Sequence, residues 1–276
     1  MRIIEPNQLH RQPAPKRKRL SRRSSVLLVL VTLSGGLLWH AVDAQEQPAV
    51  QSKVTEQAAP PRYREFSDSE FRDLYISQDF SNTTKIVAPP VVTGSKKADT
   101  RIRALAERRG YMLSSSPGKP LSKTEEGYFV QQQMLSAWRQ LKSAAAKDGV
   151  NLGLVSAYRS VEEQRLLFMQ ELEAKAVSVQ DIAAGLADKA IDDVLQTTSI
   201  PGYSRHHTGY AVDFKCGDED FNFFANTSCF KWISAKNYLN AKQSGWIPSY
   251  PPEVVDQGPD PEAWEYVWVG TEALLE

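Results

Sequence analysis

The residues best suited to chemistry lie in one segment, positions 204–213, which reads SRHHTGYAVD. In this segment His206 precedes Asp213. An imidazole and a carboxylate that lie close together can bind Zn²⁺. Taken alone, however, this spacing favours a hydrogen-bonded histidine–aspartate pair without a metal. Whether the pair binds a metal therefore depends on the neighbouring elements and on other residues.

A short strand over residues 210–214 would position the aspartate. On a strand, the side chains of Val212 and Phe214 face one side, and those of Ala211 and Asp213 face the other. The small side chain of Ala211 leaves space beside the carboxylate. The pattern therefore places Asp213 on the face opposite the large apolar side chains.

A second candidate group lies where a predicted buried strand ends and a helix begins. Residues 152–156 predict the strand, and Ser160 with Glu163 forms a capping-box pattern that begins the helix. Arg159 lies between the two elements and can hold a carboxylate through two parallel hydrogen bonds. For a lone arginine, a surface ion pair with an acid is the alternative.

A third candidate group, Glu262 and Glu265, leads into a final strand predicted at residues 265–269. Two carboxylates at this spacing could serve as a general base and a metal ligand. They could equally be two solvated acids at the end of a loop. By strand alternation Glu265 faces the same side as Val267, opposite Tyr266.

The order of the elements predicts the fold class. Strands are short and scattered, without a regular β-α-β series, which favours an α+β fold. We expect a single compact domain over residues 97–276, with a small mixed or antiparallel sheet flanked by helices. Apolar periodicity and stop signals predict helices at about 98–109, 124–148, 160–175 and 230–243, and another that begins near residue 178.

For the region before this domain, residues 45–96, the composition predicts a linker that is partly disordered. Residues 45–62 are polar and rich in Pro, Ala and Gln. Residues 63–97 are ambiguous, because their aromatic residues also fit a short helix that packs on the domain.

The first 44 residues predict export. Residues 1–24 hold eight basic side chains and one acidic one, followed by an apolar run at 26–39 of the length of a signal-peptide core. A cleaved signal peptide and a retained N-terminal membrane anchor both fit, with a periplasmic or cell-envelope location in either case. Beyond this leader the chain has an acidic excess, which argues against nucleic-acid binding. The only two cysteines, Cys216 and Cys229, favour a disulfide in an exported chain, with two free thiols as the alternative.

Together these groups resemble a known family, the VanY-type D-alanyl-D-alanine carboxypeptidases, which are relatives of the VanX dipeptidase. The resemblance covers roughly residues 100–270 and includes a segment at 245–252 that reads GWIPSYPP. The specific motif is S-x-H-x-x-G-x-A-x-D, and this chain has all five of its residues: Ser204, His206, Gly209, Ala211 and Asp213.

The resemblance implies a zinc site in a cleft and a peptidase that removes a C-terminal D-amino acid from peptidoglycan stem peptides, by D,D- or L,D-cleavage. It implies that His206 and Asp213 are zinc ligands and that Glu262 is the general base. The substrate contacts that it implies are Arg159, Tyr158, Gln164 and Ser204.

One position departs from the family pattern, which has a histidine after the tryptophan as the third zinc ligand. Here that residue is Glu265. Either Glu265 binds the metal through oxygen, which zinc accepts, or the domain has lost its metal and only binds peptidoglycan. His207 is a weaker candidate for the missing ligand, and an endopeptidase acting inside the stem peptide is a third possible function.

Overall fold

The computed structural model describes residues 61–276, which fall in one compact unit. The leader predicted for residues 1–44 and the first part of the predicted linker lie outside the described residues. Within the described part, no helix is both long and apolar enough to cross a membrane.

A four-stranded antiparallel sheet forms the centre of this unit, and two small antiparallel pairs flank it. The strands are β1 (Thr83–Lys85), β2 (Ser115–Pro117), β3 (Ser122–Lys123), β4 (Phe129–Val130), β5 (Leu152–Ser156), β6 (Ala211–Cys216), β7 (Trp246–Tyr250) and β8 (Glu262–Trp268). The central sheet has the spatial order β5-β6-β8-β7, while β1 pairs with β2 and β3 with β4.

The helices surround this sheet. They are α1 (Asp68–Ser77), α2 (Lys96–Arg108), α3 (Met134–Lys147), α4 (Val161–Ala174), α5 (Val179–Ala184), α6 (Asp188–Leu195) and α7 (Ser228–Lys242), the last broken by a kink. The predicted capping box at Ser160 is present: its hydroxyl accepts from the Glu163 N–H, and the Glu163 carboxylate accepts from the Ser160 N–H.

Two hydrophobic clusters stabilise the unit. In the first, Phe214 of β6 packs against Trp138 of α3, Tyr266 of β8 and Trp246 of β7. The second holds buried side chains of α2, α4, α5 and α6, among them Ile102, Phe168, Ile182 and Ile191. The α+β prediction, with a small antiparallel sheet flanked by helices, is confirmed.

The folded unit begins earlier than residue 97, which corrects the predicted linker. Helix α1 has its own capping box at Ser67, and Phe71 is fully buried. The Asn237 side chain binds both the N–H and the carbonyl of Phe66, at 2.9 and 2.7 Å. Because α1 buries an aromatic ring in the main cluster, residues 63–96 contribute to the core and do not form a free tether.

The periodicity predicts that this helix begins near residue 124, but α3 begins at Met134. The reason lies at Gln131, whose backbone N–H donates to the Gly209 carbonyl at 3.0 Å and whose side chain donates to the Thr208 carbonyl at 2.9 Å. These bonds tie Gln131, which directly follows β4, to the turn that carries the candidate site.

Candidate active site

A single 3₁₀ turn, Arg205–Thr208, delivers His206 to the start of β6. The Ser204 hydroxyl caps the turn by accepting from the His206 N–H at 3.3 Å. Gly209 ends it with φ 73°, and a Cβ there would lie 3.0 Å from Leu121, so this position requires glycine. The motif glycine therefore serves to aim the histidine.

Strand pairing then brings two carboxylates to the same place. Asp213 of β6 is the register partner of Glu265 of β8, so the two side chains lie on the same face of the sheet. The His206 Nε2 atom lies 3.3 Å from Asp213 Oδ1 and 3.2 Å from Glu265 Oε2. All three residues are buried.

The tautomer of His206 suits metal binding. Its Nδ1 lies 2.6 Å from the Ala157 carbonyl oxygen, which can only accept a hydrogen bond, so Nδ1 carries the proton and donates. In the neutral imidazole, Nε2 is then the nitrogen available to a metal, and it faces the two carboxylates. Orientation of a histidine ligand by such a carbonyl is common in metal sites.

The donor set fits a zinc ion. One nitrogen and two carboxylate oxygens lie within 4.8 Å of one another. Asp213 Oδ1 is buried and lies 3.3 Å from His206 Nε2, but it accepts no hydrogen bond of acceptable geometry from the described residues, and a buried oxygen of this kind calls for an explanation such as a bound ion. His206, Asp213 and Glu265 would hold the metal, so Glu265 takes the position of the family's histidine.

The carboxylates of Asp213 and Glu265, together with the nearby Glu262, determine the electrostatics of the site. Burial lowers the pKa of His206, but the carboxylates of Asp213 and Glu265 outweigh it and raise the pKa to about 10. Burial, followed by the charges of Glu265 and Asp213, raises the pKa of Glu262 well above its usual range. Burial also opposes ionisation of Asp213, yet His206 and Arg159 hold its pKa low.

Glu262 and Arg159 line the same cleft as the three cluster residues, a cavity of about 340 Å³. The Arg159 guanidinium donates to the Gln164 amide oxygen at 2.8 Å and to the Ser156 hydroxyl at 3.3 Å. Gln164 is fully buried and in turn donates to the Ser199 carbonyl at 2.7 Å. Arg159 is therefore held at the cleft by Gln164, which orients the arginine and does not itself line the cleft.

Of the remaining predicted residues, Ser204 lines the cleft, and Tyr158 and His207 are not part of its lining in the described part of the chain. His207 points elsewhere: its Nε2 accepts from the Gly202 N–H at 3.0 Å, and its Nδ1 lies 2.7 Å from the Arg159 carbonyl. Burial lowers its pKa to about 4, so His207 is a neutral structural residue and not a ligand.

Three further residues of the site, Ser249, Phe221 and Trp264, are not among those predicted from the sequence. The Ser249 hydroxyl donates to Glu265 Oε1 at 2.5 Å and accepts from Arg205 Nη1 at 3.2 Å. The Trp264 ring lies edge-on to Phe221 at 5.6 Å, and both rings line the cleft. Ser249 lies within the segment 245–252 and Trp264 is the tryptophan before Glu265, so the family resemblance is the sequence signal that could have identified these two.

A disulfide closes one end of the cleft region. Cys216 at the end of β6 is bonded to Cys229 of α7, as predicted. Between them a short 3₁₀ helix, Phe221–Asn226, brings Phe221 and Asn222 to the cleft lining.

Comparison with known proteins decides the family. The family model described as VanY, D-alanyl-D-alanine carboxypeptidase, matches residues 127–271, about half of the chain. This chain belongs to that family. It is also 29% identical over 149 residues to "Putative carboxypeptidase YodJ" of Bacillus subtilis (strain 168), a match that covers 52% of this chain and 48% of that protein. The chain thus matches about half the length of this relative.

Solved structures of similar proteins include two VanY enzymes and an LD-carboxypeptidase. The vancomycin-resistance D,D-pentapeptidase VanY in complex with Zn(II) is 22% identical, with 59% of this chain and 89% of that chain covered and a TM-score of 0.42. VanYB in complex with D-alanine-D-alanine is 23% identical, with 59% of this chain and 88% of that chain covered and a TM-score of 0.43. The LdcB LD-carboxypeptidase is 25% identical, with 52% of this chain and 61% of that chain covered and a TM-score of 0.42.

Proposed function

We propose that this chain is a zinc-dependent carboxypeptidase that removes a C-terminal D-amino acid from peptidoglycan stem peptides. Membership of the VanY family supports the peptidase class. The observation that carries the zinc dependence is the convergence of His206, Asp213 and Glu265, with one carboxylate oxygen left without a hydrogen-bond partner among the described residues.

We assign Glu262 the role of general base, which its location in the lining of the cleft supports. A zinc ion held by His206, Asp213 and Glu265 would supply Lewis-acid polarisation of the scissile carbonyl and of the attacking water. The Glu262 carboxylate accepts the proton from that water and passes it to the leaving amine, so that one water is consumed and the amide bond is cleaved. Without the metal, burial and the charges of Glu265 and Asp213 raise the pKa of Glu262 well above its usual range.

Arg159 is placed to orient the substrate. Its guanidinium lies at the cleft and is fixed by Gln164 and Ser156. A planar guanidinium can bind the terminal carboxylate of a peptide through two parallel hydrogen bonds. Such a contact would favour an exopeptidase, since the terminal carboxylate belongs to the last residue of the peptide. The rings of Phe221 and Trp264 form an apolar wall beside it.

We place the enzyme outside the cytoplasm, in the periplasm or the cell envelope. This proposal rests on the basic and apolar pattern of residues 1–39 and on the Cys216–Cys229 disulfide, which suits an oxidising compartment. Contact with the inner membrane is through the N-terminal segment alone, if that segment is retained. The partners are peptidoglycan peptides and not nucleic acids.

The decisive experiment is a digest of purified muropeptides with the full chain, with zinc or with a chelator, read by mass spectrometry. We expect loss of one alanine mass that stops when the chelator is present. Pentapeptide and tetrapeptide muropeptides in separate digests distinguish D,D- from L,D-cleavage. Release of a larger fragment would instead identify an endopeptidase.

A second function is favoured by one observation, the glutamate at position 265 where the family has a ligand histidine. In this alternative the domain is a catalytically inactive module that binds peptidoglycan without metal. It predicts no product under either condition, and binding to purified sacculi that a chelator does not change. Zinc-dependent release of alanine would exclude it.

A further inference from the structure

Arg205 is a buried cation with no direct ion pair. Its side chain lies between two aromatic rings, 3.8 Å from the centroid of Tyr75 and 3.9 Å from that of Tyr250. Only 5% of the residue is exposed. Of the ion pairs formed within residues 61–276, none includes Arg205. A buried charge of this kind needs a compensating group.

Ser249 connects this cation to the candidate metal ligand. Arg205 Nη1 donates to the Ser249 carbonyl and to its hydroxyl. The same hydroxyl donates to Glu265 Oε1 at 2.5 Å. With Oε1 engaged in this way, Oε2 is the oxygen that lies 3.2 Å from His206 Nε2. The chain of bonds thus decides which oxygen of Glu265 faces the site.

The backbone is shaped for this contact. The pairing of β7 with β8 shifts register between Pro248 and Tyr250, and Ser249 is the residue at the shift. Such irregularities re-aim a side chain, and they concentrate beside active sites. Ser249 is fully buried, so its hydroxyl is committed to Arg205 and Glu265.

We propose that Arg205, acting through Ser249, is a positioning residue that holds Glu265 as a metal ligand and offsets the negative charge that a carboxylate brings in place of an imidazole. With Asp213, Glu265 and Glu262 together, a dication would face three acids. Excess anionic charge weakens the Lewis acidity of a metal, and groups that hydrogen-bond to ligands tune both affinity and reactivity. This inference rests on the proposed zinc site.

The N-terminal segment becomes part of the site's support. Tyr75 belongs to α1, which lies outside the residues matched by the family model. Its ring covers one face of the guanidinium, and Tyr250 covers the other. A cation between two rings is stabilised by their quadrupoles. Helix α1 therefore helps to hold the arginine that supports Glu265.

The test measures zinc affinity of the full chain by competition with a chromophoric chelator, together with the Co(II) spectrum and the metal-free Tm. We expect Ser249→Ala and Arg205→Met to weaken zinc binding by about 10- to 100-fold, the range for groups that support ligands, and to alter the Co(II) spectrum. Arg205→Lys keeps the charge but loses the planar fork, so it should weaken binding less. Arg139→Met is the control, because Arg139 is an exposed residue paired with Glu125.

A second arm combines Arg205→Met with Glu265→His. With a neutral ligand at position 265 there is no added charge to offset. Adding Arg205→Met to Glu265→His should therefore change zinc affinity by less than about twofold, the scatter of uncoupled sites. If Arg205→Met fails to fold, Ser249→Ala alone carries the test.

The outcomes separate this inference from the proposed function. Equal zinc affinity and an unchanged Co(II) spectrum in Ser249→Ala, with a lower Tm alone, would show a merely structural role and overturn the inference. Zinc binding by the unmodified chain without release of alanine would overturn the proposed function only. If the unmodified chain binds no zinc, both are wrong.

Discussion

Two neighbouring parts of the site hold their metal-binding groups in different ways. We call them the β6 wall, formed by the turn Arg205–Thr208 with β6, and the β8 wall, formed by β8. On the β6 wall, His206 is fixed by a backbone carbonyl, that of Ala157, and Asp213 Oδ1 has no hydrogen-bond partner among the described residues. On the β8 wall, Glu265 is bound by the Ser249 hydroxyl, with Arg205 behind it. The His206 imidazole is thus oriented by a neutral acceptor, whereas the Glu265 carboxylate is oriented by a hydroxyl donor that in turn contacts a cation.

The largest expected effect contrasts one residue from each wall. His206→Ala removes a ligand, so we expect loss of both zinc and turnover. Glu262→Gln keeps the shape of the β8 wall but removes the base, so zinc binding should persist while kcat falls by about 10²- to 10⁴-fold. Zinc content and alanine release, measured on the same samples, check both variants.

Lys189→Ala is a matched surface control, since Lys189 is exposed and pairs only with Asp193 on α6. Unchanged turnover in Glu262→Gln would remove Glu262 from the mechanism. Loss of zinc from that variant would instead make Glu262 a ligand.

The β6 wall could be predicted from the sequence because it is local. The turn and strand lie within residues 204–213, and strand alternation alone places Asp213 opposite Phe214, as the structure confirms with Phe214 in the core. Glu262 and Glu265 came from resemblance to the family motif. The Ser249 contact could not be predicted, since a register shift between Pro248 and Tyr250 creates it.

Sequence composition was misleading for residues 63–96. The polar stretch before them suggested a linker that extends to residue 96, and the aromatic residues left a helix open. The structure shows why the helix forms: Phe71 and Tyr75 have partners far along the chain, Phe71 against Tyr238 and Tyr75 against Arg205. Periodicity within the segment carries no information on such distant partners.

The next effect concerns Arg159, which lies beside the β6 wall. Arg159→Lys keeps the charge but loses the bidentate fork, so kcat/KM should fall by about 10- to 100-fold, as for lost hydrogen bonds to a charged group. A matched substrate with an amidated C-terminus lacks the carboxylate, so both proteins should cleave it equally poorly. A Lys variant that loses activity equally on both substrates would show that Arg159 does not bind the terminal carboxylate.

A third prediction follows from the charge of the β6 wall without metal. The pKa of His206 is raised to about 10, so His206 is protonated at neutral pH and zinc must displace that proton. Zinc affinity should rise by about tenfold per pH unit between pH 7 and 9, with about one proton released per zinc. Titration in buffers of different ionisation enthalpy measures the proton count, and pH-independent affinity would contradict the assignment.

The same shift has a consequence for metal-free stability. A folded pKa above the unfolded value of 6.5 means that His206 stabilises the fold fully below pH 6.5, and that this contribution is lost as pH rises through about 10. Glu262 acts in the same direction, since its pKa is also raised. The Tm of the metal-free protein should therefore fall from pH 6.5 to 10, and His206→Gln should flatten that fall.

The smallest effect on catalysis is expected from the disulfide, which lies at the far end of the β6 wall. Replacing Cys216 and Cys229 by alanine opens a loop of sequence separation 13, which should lower the free energy of unfolding by about 2–3 kcal/mol. The ladder of β5, β6 and β8 holds the ligands independently, so kcat should change little. KM should rise a few-fold, because the loop carries Phe221 and Asn222 into the cleft. Denaturant unfolding and steady-state kinetics measure the two effects, and a fall in kcat as large as that of Glu262→Gln would show that the disulfide, and not the sheet, sets the geometry of the β6 wall.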